Sequence, residues 1–269
     1  MAGAGIIVQI YEVQEAREAE ALVALGVDHI GSVILSMEAW KFPAIRDTVR
    51  AIQGAGAKSG LIPLFGDKAA IFRLLDYYQP DFIHFCEILS PFTSDEAATL
   101  NQCDIHLALQ RAVKESYPAV AVMRSLSVPR PGMASARGIM DRIIALAQRL
   151  APLSDFFLID TLRGSAADSK EQPVSGFVGI TGEICDWDIA AGVVAESPIP
   201  VILAGGIGAD NVYDALRKVL PAGVDSCTRT NAVDDKGRPI RFRKDIEKVR
   251  RMVAEVRRAE AQPVERRER

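Results

Sequence analysis

The chain is poor in the residues that build metal centres and redox sites. Three histidines and four cysteines are spread through 269 residues. Cys86, Cys103, Cys185 and Cys227 form no CxxC pair and have no zinc-ribbon spacing, so neither a disulfide scaffold nor a structural zinc site is expected. Free thiols in a reducing cytosol fit this usage. Neither charge sign dominates, with 32 Lys and Arg against 35 Asp and Glu and a net charge of −3. That balance argues against nucleic acid or a membrane surface as a partner. No run approaches the ~18 apolar residues that a membrane span needs. The start, MAGAGIIVQIYEV, lacks the basic region and the long apolar run of a signal peptide. A cytoplasmic protein is the expectation.

What is present is an ordinary globular composition, 49% hydrophobic and 25% charged. Short apolar runs alternate with helical patterns from end to end. The strand candidates are Ile6–Val13, Val27–Leu35, Lys58–Leu64, Asp81–Glu87, Ala119–Leu126, Asp155–Asp160, Pro200–Ala204 and Val224–Cys227. Helical stretches lie between them, for example Ala16–Leu25, Lys68–Tyr77, Arg137–Leu150, Asp186–Ala195 and Asn211–Val219. Strict alternation implies a parallel sheet, and eight repeats in this length imply a closed (βα)8 TIM barrel. One domain over residues 1–256 is expected, followed by a charged, solvated tail at 257–269. A doubly wound open sheet is the alternative, but it would carry its phosphate glycines in the first unit. The stretches Ser125–Ala136 and Thr161–Gly179 read as the loops after strands five and six, on the face where barrels do chemistry.

Two glycine-rich segments stand out. GITGEICDW at Gly179–Trp187 follows the apolar run FFLID, and LAGGIGADNV at Leu203–Val212 is itself a strand, a double glycine and a helix start. Backbone N–H groups at a helix start attract anions, and glycine lets the backbone come close. Gly179, Thr181, Gly182, Gly205 and Gly206 are therefore expected to hold a phosphate. Thr228 and Arg229 follow the eighth strand, and Arg229 is either a clamp on that phosphate or a solvated side chain. Asp160 closes the sixth strand, where a barrel places catalytic groups; the plainer reading is a loop hydrogen-bonder. His84 and Cys86 point the same way on a strand, with Glu87 next to them and Cys227 able to join. Two soft ligands on one strand fall short of the three or four a zinc needs, so no metal is expected. His29 and His106 look incidental, Trp187 reads as core or barrel rim, and the basic runs Arg238–Lys244 and Arg250–Arg258 as solvated faces.

On these residues the sequence resembles the phosphoribosylanthranilate isomerase family. Gly179–Trp187 looks like that family's glycine-threonine-glycine loop followed by Asp-Trp, and LAGGIGADNV looks like its seventh-strand phosphate loop. VALGVDHIG at Val23–Gly31, VDS at Val224–Ser226 and Lys244–Asp245 fit other units. The resemblance implies a barrel without a cofactor that carries out the Amadori rearrangement of an aminoaldose phosphate in tryptophan biosynthesis, as a monomer or homodimer. It implies that Asp160 is the acid that protonates the ring oxygen. The family's general base is a cysteine followed by glycine at the end of strand one, and Tyr11 and Glu12 take those two positions here. The Ser-Pro-Arg after strand two has no counterpart in Ser36–Phe42, and Cys227–Asn231 replaces a glycine-containing loop.

A tyrosine titrates near ~10, so a base poised at neutrality would need a shift of about 3 units, roughly 4 kcal/mol. Arg124, on a neighbouring strand, could supply part of that or contact the substrate. Glu12 is the easier base, being ionised at neutral pH. Two other readings stay open. One is a paralogue acting on another phosphometabolite, perhaps by a lyase or aldolase-like step involving Lys41 and Arg124. The other is a phosphometabolite-binding protein that has lost catalysis.

Overall fold

The computed structural model describes residues 5–89, 96–132, 136–163 and 174–262. Eight parallel strands close on themselves: β1 (Ile7–Tyr11), β2 (His29–Ile34), β3 (Lys58–Pro63), β4 (Phe82–Phe85), β5 (Ala121–Pro129), β6 (Phe156–Leu162), β7 (Val201–Leu203) and β8 (Gly223–Ser226). Eight helices follow them in turn. They are α1 (Ala16–Ala24), α2 (Pro43–Gly54), α3 (Lys68–Tyr78), α4 (Glu96–Ser116), α5 (Ala136–Leu150), α6 (Trp187–Glu196), α7 (Val212–Val219) and α8 (Ile246–Ala261). The expected closed (βα)8 barrel is therefore the fold. The ring shuts where β1 pairs with β8, Gln9 opposite Asp225. No helix among the described residues is long and apolar enough to cross a membrane.

Local chemistry fixes the helix starts. Asp67, Asp186 and Asp245 each turn a carboxylate onto the first free amides of α3, α6 and α8. Pro43 opens α2, where its missing N–H costs nothing. Between strands and helices lies a continuous apolar layer that includes Val8, Ile10, Leu22, Phe157, Ile159 and Val249. A separate cluster fills the barrel itself, with Tyr11, Val33, Ile62, Phe82, Met123, Leu158 and Ile202.

The filling is close. The Tyr11 ring lies on Gly31, its register partner in β2, and a Cβ added at Gly31 would come within 1.9 Å of the ring. The Phe82 ring lies on Gly60 in the same manner, at 2.2 Å. Two glycines thus make room for two aromatic rings in the lumen.

Three expectations need correction. Strand β5 runs on to Pro129, so Ser125–Pro129 is barrel wall and not loop. The pairing of β5 with β6 through Val128 and Leu162 holds it there. Helix α8 continues to Ala261, because Val256 and Ala259 still face the core, so the tail at 257–269 begins as helix. Residues 263–269 lie outside the described part, as does most of the loop after β6. Lastly, Arg238–Lys244 is no plain solvated face. Strands β9 (Asn231–Val233) and β10 (Pro239–Lys244) form an antiparallel hairpin inserted between β8 and α8.

The ring-on-glycine contact gives the first prediction. Gly31→Ala should destabilise the protein by about 1–3 kcal/mol in urea denaturation, since the methyl group has no space beside Tyr11. In a Tyr11→Ala background the same change should cost much less. Additive losses in this double-mutant cycle would show that the ring and the glycine do not share the space.

Candidate functional site

The C-terminal ends of the barrel strands surround a narrow pocket, with about 50 Å3 accessible to a water-sized molecule. One wall is apolar, with Val33, Ile62, Leu64, Phe177 and Val178. Tyr11, Glu12, Asp160 and Asp225 supply the polar groups, with His84, Cys86 and Cys227 beside them. Strand parity brings these side chains inward from β1, β4, β6 and β8.

Asp160 lies in β6 two residues before its end, where the sequence reading ended the strand, and it lines the pocket. Burial pushes its carboxyl up to about 6, against one backbone hydrogen bond from Thr161 that lowers it. Gly179 passes directly over it: a Cβ there would lie 2.7 Å from Asp160 Oδ2, and the residue has φ +117°. Gly179 therefore covers the acid. Asp225, on β8, was missed in the sequence because an Asp inside VDS looks like any strand-end acid. Gln9 Nε2 donates to its Oδ1 at 3.2 Å. Burial raises Asp225 to about 8, and the charge of Asp160 adds to the rise. Two carboxyls that feel each other titrate as a pair, and between these values the pair carries one proton, held mainly by Asp225.

Tyr11 is not set up as a base. Its phenol is raised well above the ordinary tyrosine value, by burial first and by Asp225 and Cys86 after it. Its oxygen is hydrogen-bonded to His84 Nδ1 at 2.8 Å, and His84 Nε2 to Ser125 Oγ at 2.8 Å. Burial and the nearby Arg124 charge lower His84 to about 3, so the ring is neutral. A neutral imidazole donates at one nitrogen and accepts at the other, so Tyr11–His84–Ser125 is a chain that orients the phenol. With both nitrogens committed there, His84 is not arranged as a metal ligand.

Arg124 is turned out of the barrel, contrary to its expected role beside the substrate or Tyr11. Its neighbours Met123 and Ser125 point inward, so alternation sends it into the helix layer. There it is fully buried and donates to Glu87 at 2.8 Å, with His106 of α4 3.9 Å from the same carboxylate. Lys41 is also displaced from chemistry, lying over the Tyr77 ring outside the barrel.

Glu12 is 1% exposed and adopts φ +61°, a left-handed conformation unusual for glutamate. Arg241 on the β9–β10 hairpin donates to its Oε1 from Nε at 2.8 Å and from a terminal nitrogen. That ion pair keeps one carboxylate oxygen from acting as a base.

On the other side of the mouth three loops meet. A Cβ on Gly182 would touch Thr228 at 3.1 Å, and one on Gly206 would strike the Glu183–Ile184 backbone at 2.7 Å. Gly206 has φ +61°, which glycine adopts without strain. Among the described residues, the backbone amides of Gly182, Gly206 and Arg229 donate to no protein acceptor. Gly205 backs this contact, packed on Thr161 and Cys185. The Thr181 hydroxyl takes the Glu183 amide at 3.2 Å. Arg229 contributes its backbone only. Its guanidinium pairs with Asp210 at 2.9 Å and lines an outer groove with Lys248 and Arg251, so it does not reach the mouth as a clamp.

Known proteins agree with this arrangement. Residues 142–255 match the family described as N-(5'-phosphoribosyl)anthranilate (PRA) isomerase. The isomerase of Methanosarcina acetivorans is 29% identical over 154 residues, 57% of this chain and 58% of that protein. The chain spans about half the length of the first curated relatives it matches, as this case illustrates. The isomerase of Methanothrix thermoacetophila is 26% identical over 90% of this chain and 97% of its own. Among solved structures, the isomerase of Pyrococcus furiosus superposes with a TM-score of 0.64 over 94% of this chain and 99% of its own, at 19% identity. The glycine loops of units six and seven lie inside the matched stretch, so it is this half of the barrel that is similar to the N-(5'-phosphoribosyl)anthranilate isomerase family.

Proposed function

We propose that this barrel isomerises a phosphorylated aminoaldose by an Amadori rearrangement, the reaction named in its relatives. The reading includes a cytoplasmic, cofactor-free enzyme, monomeric or homodimeric. One observation carries it. The loops of units six and eight, with unpaired amides at Gly182 and Arg229, run on from the pocket-lining residues Gly179, Ile180 and Cys227, and the same pocket holds two buried carboxyls with raised values.

The phosphate sits against the amides around Gly182, Gly206 and Arg229, which need no side-chain cation to attract it. In the reactive form the pair's one proton sits on Asp160, the less populated arrangement because Asp225 holds its proton to higher pH; Asp160 gives it to the ring oxygen of the sugar, and the ring opens to an imine. The Asp225 carboxylate takes the proton from the adjacent carbon, giving an enolamine that settles as the aminoketose. One acid and one base suffice, and the pair supplies both. Asp225 takes the base role because the Tyr11 phenol is held neutral and Glu12 is bound to Arg241. The Tyr11–His84–Ser125 chain presents a fixed hydrogen-bonding oxygen to the sugar.

Asp160→Asn should reduce turnover of phosphoribosylanthranilate by on the order of 10²–10⁴-fold while phosphate affinity is kept, read by steady-state kinetics and calorimetry. A variant with near-normal rates would remove Asp160 from the chemistry. The wild-type rate should follow a bell with limbs near pH 6 and pH 8.

Gly206→Val should weaken inorganic phosphate binding at least tenfold, because its side chain would strike the Glu183–Ile184 backbone. Unchanged affinity would put the anion elsewhere.

Both carboxyls are raised in the folded state, so folding takes up protons. The resulting penalty is absent below about pH 4 and grows as pH rises through 6 and 8. Asp225→Asn should therefore match the wild type in urea at pH 4. At pH 9 it should exceed the wild type by on the order of a few kcal/mol. A loss of stability at pH 9 would contradict this charge assignment.

A further inference from the structure

The buried pair Arg124–Glu87 takes no part in the chemistry above, yet it lies behind the segment that covers Asp160. An ion pair in a helix layer returns little more than its desolvation costs, and apolar side chains of similar volume would fill the space as well. What Arg124 adds is a grip on the main chain. One terminal nitrogen donates to Glu87 Oε2 at 2.8 Å, and the other donates to the Glu87 carbonyl at 3.1 Å. Glu87 lies just beyond β4, in the stretch Cys86–Ile88. That stretch forms a short antiparallel bridge with Gly176–Val178, Glu87 opposite Phe177. The Ile88 amide donates to the Gly176 carbonyl and the Val178 amide to the Cys86 carbonyl, each at 2.9 Å. Backbone groups alternate in direction along an extended strand, so the Glu87 carbonyl points away from the bridge and is open to Arg124. Phe177 and Val178 line the pocket, and Gly179, the next residue, passes over Asp160 Oδ2.

We propose that Arg124 is a positioning residue for Asp160: by gripping Glu87 it fixes the ledge Cys86–Ile88 to which Gly176–Val178 is pinned, and so keeps Gly179 over the acid and water away from it. This rests on the reading of Asp160 as the acid given above, and adds what keeps that acid covered. Burial is the largest cause of the raised Asp160 value, so loosening the cover lets the carboxyl titrate closer to the ordinary range. The titratable groups that feel Asp160 are Asp225 on β8 and the thiols of Cys86 and Cys185, both held protonated by burial. With Asp225 replaced by Asn, Asp160 therefore titrates alone.

The test follows the Asp160 carboxyl by carbon NMR in the Asp225→Asn protein. Arg124→Met combined with Glu87→Gln removes the grip and leaves no unpaired charge in the layer. The Asp160 titration should then fall by about one pH unit. Deuterium exchange should quicken about tenfold in the amides of 176–180 but not in β1 or β8. With Asp225 intact, the same double change should lower kcat and move the low-pH limb of the rate downward, while the affinity for inorganic phosphate stays the same. If the double variant does not fold, Val178→Pro serves instead. It removes the amide that donates to Cys86 and leaves Arg124 and Glu87 in place. Phe177 is already extended, as a residue before proline prefers to be. The same fall in the Asp160 titration is expected. A titration that does not move, or exchange that quickens equally throughout the barrel, overturns the proposal.

Wild-type turnover of phosphoribosylanthranilate separates the two readings. Turnover together with an unmoved titration overturns only the present inference. A titration that moves in a protein without turnover overturns only the isomerase reading. Neither turnover nor movement overturns both.

Discussion

Closure of the barrel is the constraint on which the rest depends. Once β1 pairs with both β2 and β8, every side chain that points inward must be packed or hydrogen-bonded in a small lumen. Aromatic rings fit only because the neighbouring strand offers a glycine, Tyr11 on Gly31 and Phe82 on Gly60. Polar groups inside are tolerated only with partners, as in the pairing of Asp225 with Gln9 and of Gln9 with His29. The ring thus converts a pattern of short strands into a fixed set of inward-facing groups at one end.

Those groups are expensive to keep. Asp160 and Asp225 are both held above the ordinary carboxylate range, chiefly by burial. A charge placed there at neutral pH opposes folding, and the barrel's apolar layers must offset it. The same burial suits acid–base chemistry, because a carboxyl titrating near neutrality can both give and take a proton. Tyr11 receives the opposite treatment. Burial strengthens its hold on its own proton, and the His84–Ser125 chain gives its oxygen a direction.

The hairpin between β8 and α8 is the part of the mouth that closes from outside the barrel. Asp234 organises its turn, accepting from the amides of Lys236 and Arg238. Lys244 ties its far strand back to the Cys227 carbonyl and to Asn231. From that anchored position Arg241 reaches the strained Glu12 at the end of β1, a position that glycine holds in the family motif. The left-handed conformation at Glu12 and the ion pair that secures it are thus two aspects of one contact.

The sequence by itself determined the repeat of strands and helices, and with it the barrel, and it marked the glycine loops of units six and seven. These are local properties: the period of apolar residues, the aspartates that cap helices, and the backbone freedom of Gly206. It singled out Asp160 as an acid near the end of a strand, although the strand runs two residues further. Only the tertiary structure decided which way the remaining side chains face. Parallel barrel strands are buried on both sides, so a run such as AVMRSL has no polar face to mark its lumen side. That is why Arg124 looked available to the substrate and proved to be sealed against Glu87, and why Asp225 went unnoticed. Arg229 lies next to the right loop in sequence, yet the register of its turn sends the guanidinium to Asp210. The pairing of Glu12 with Arg241 joins residues 229 positions apart, a contact that no local pattern encodes and that exists only once the hairpin folds over the closed ring.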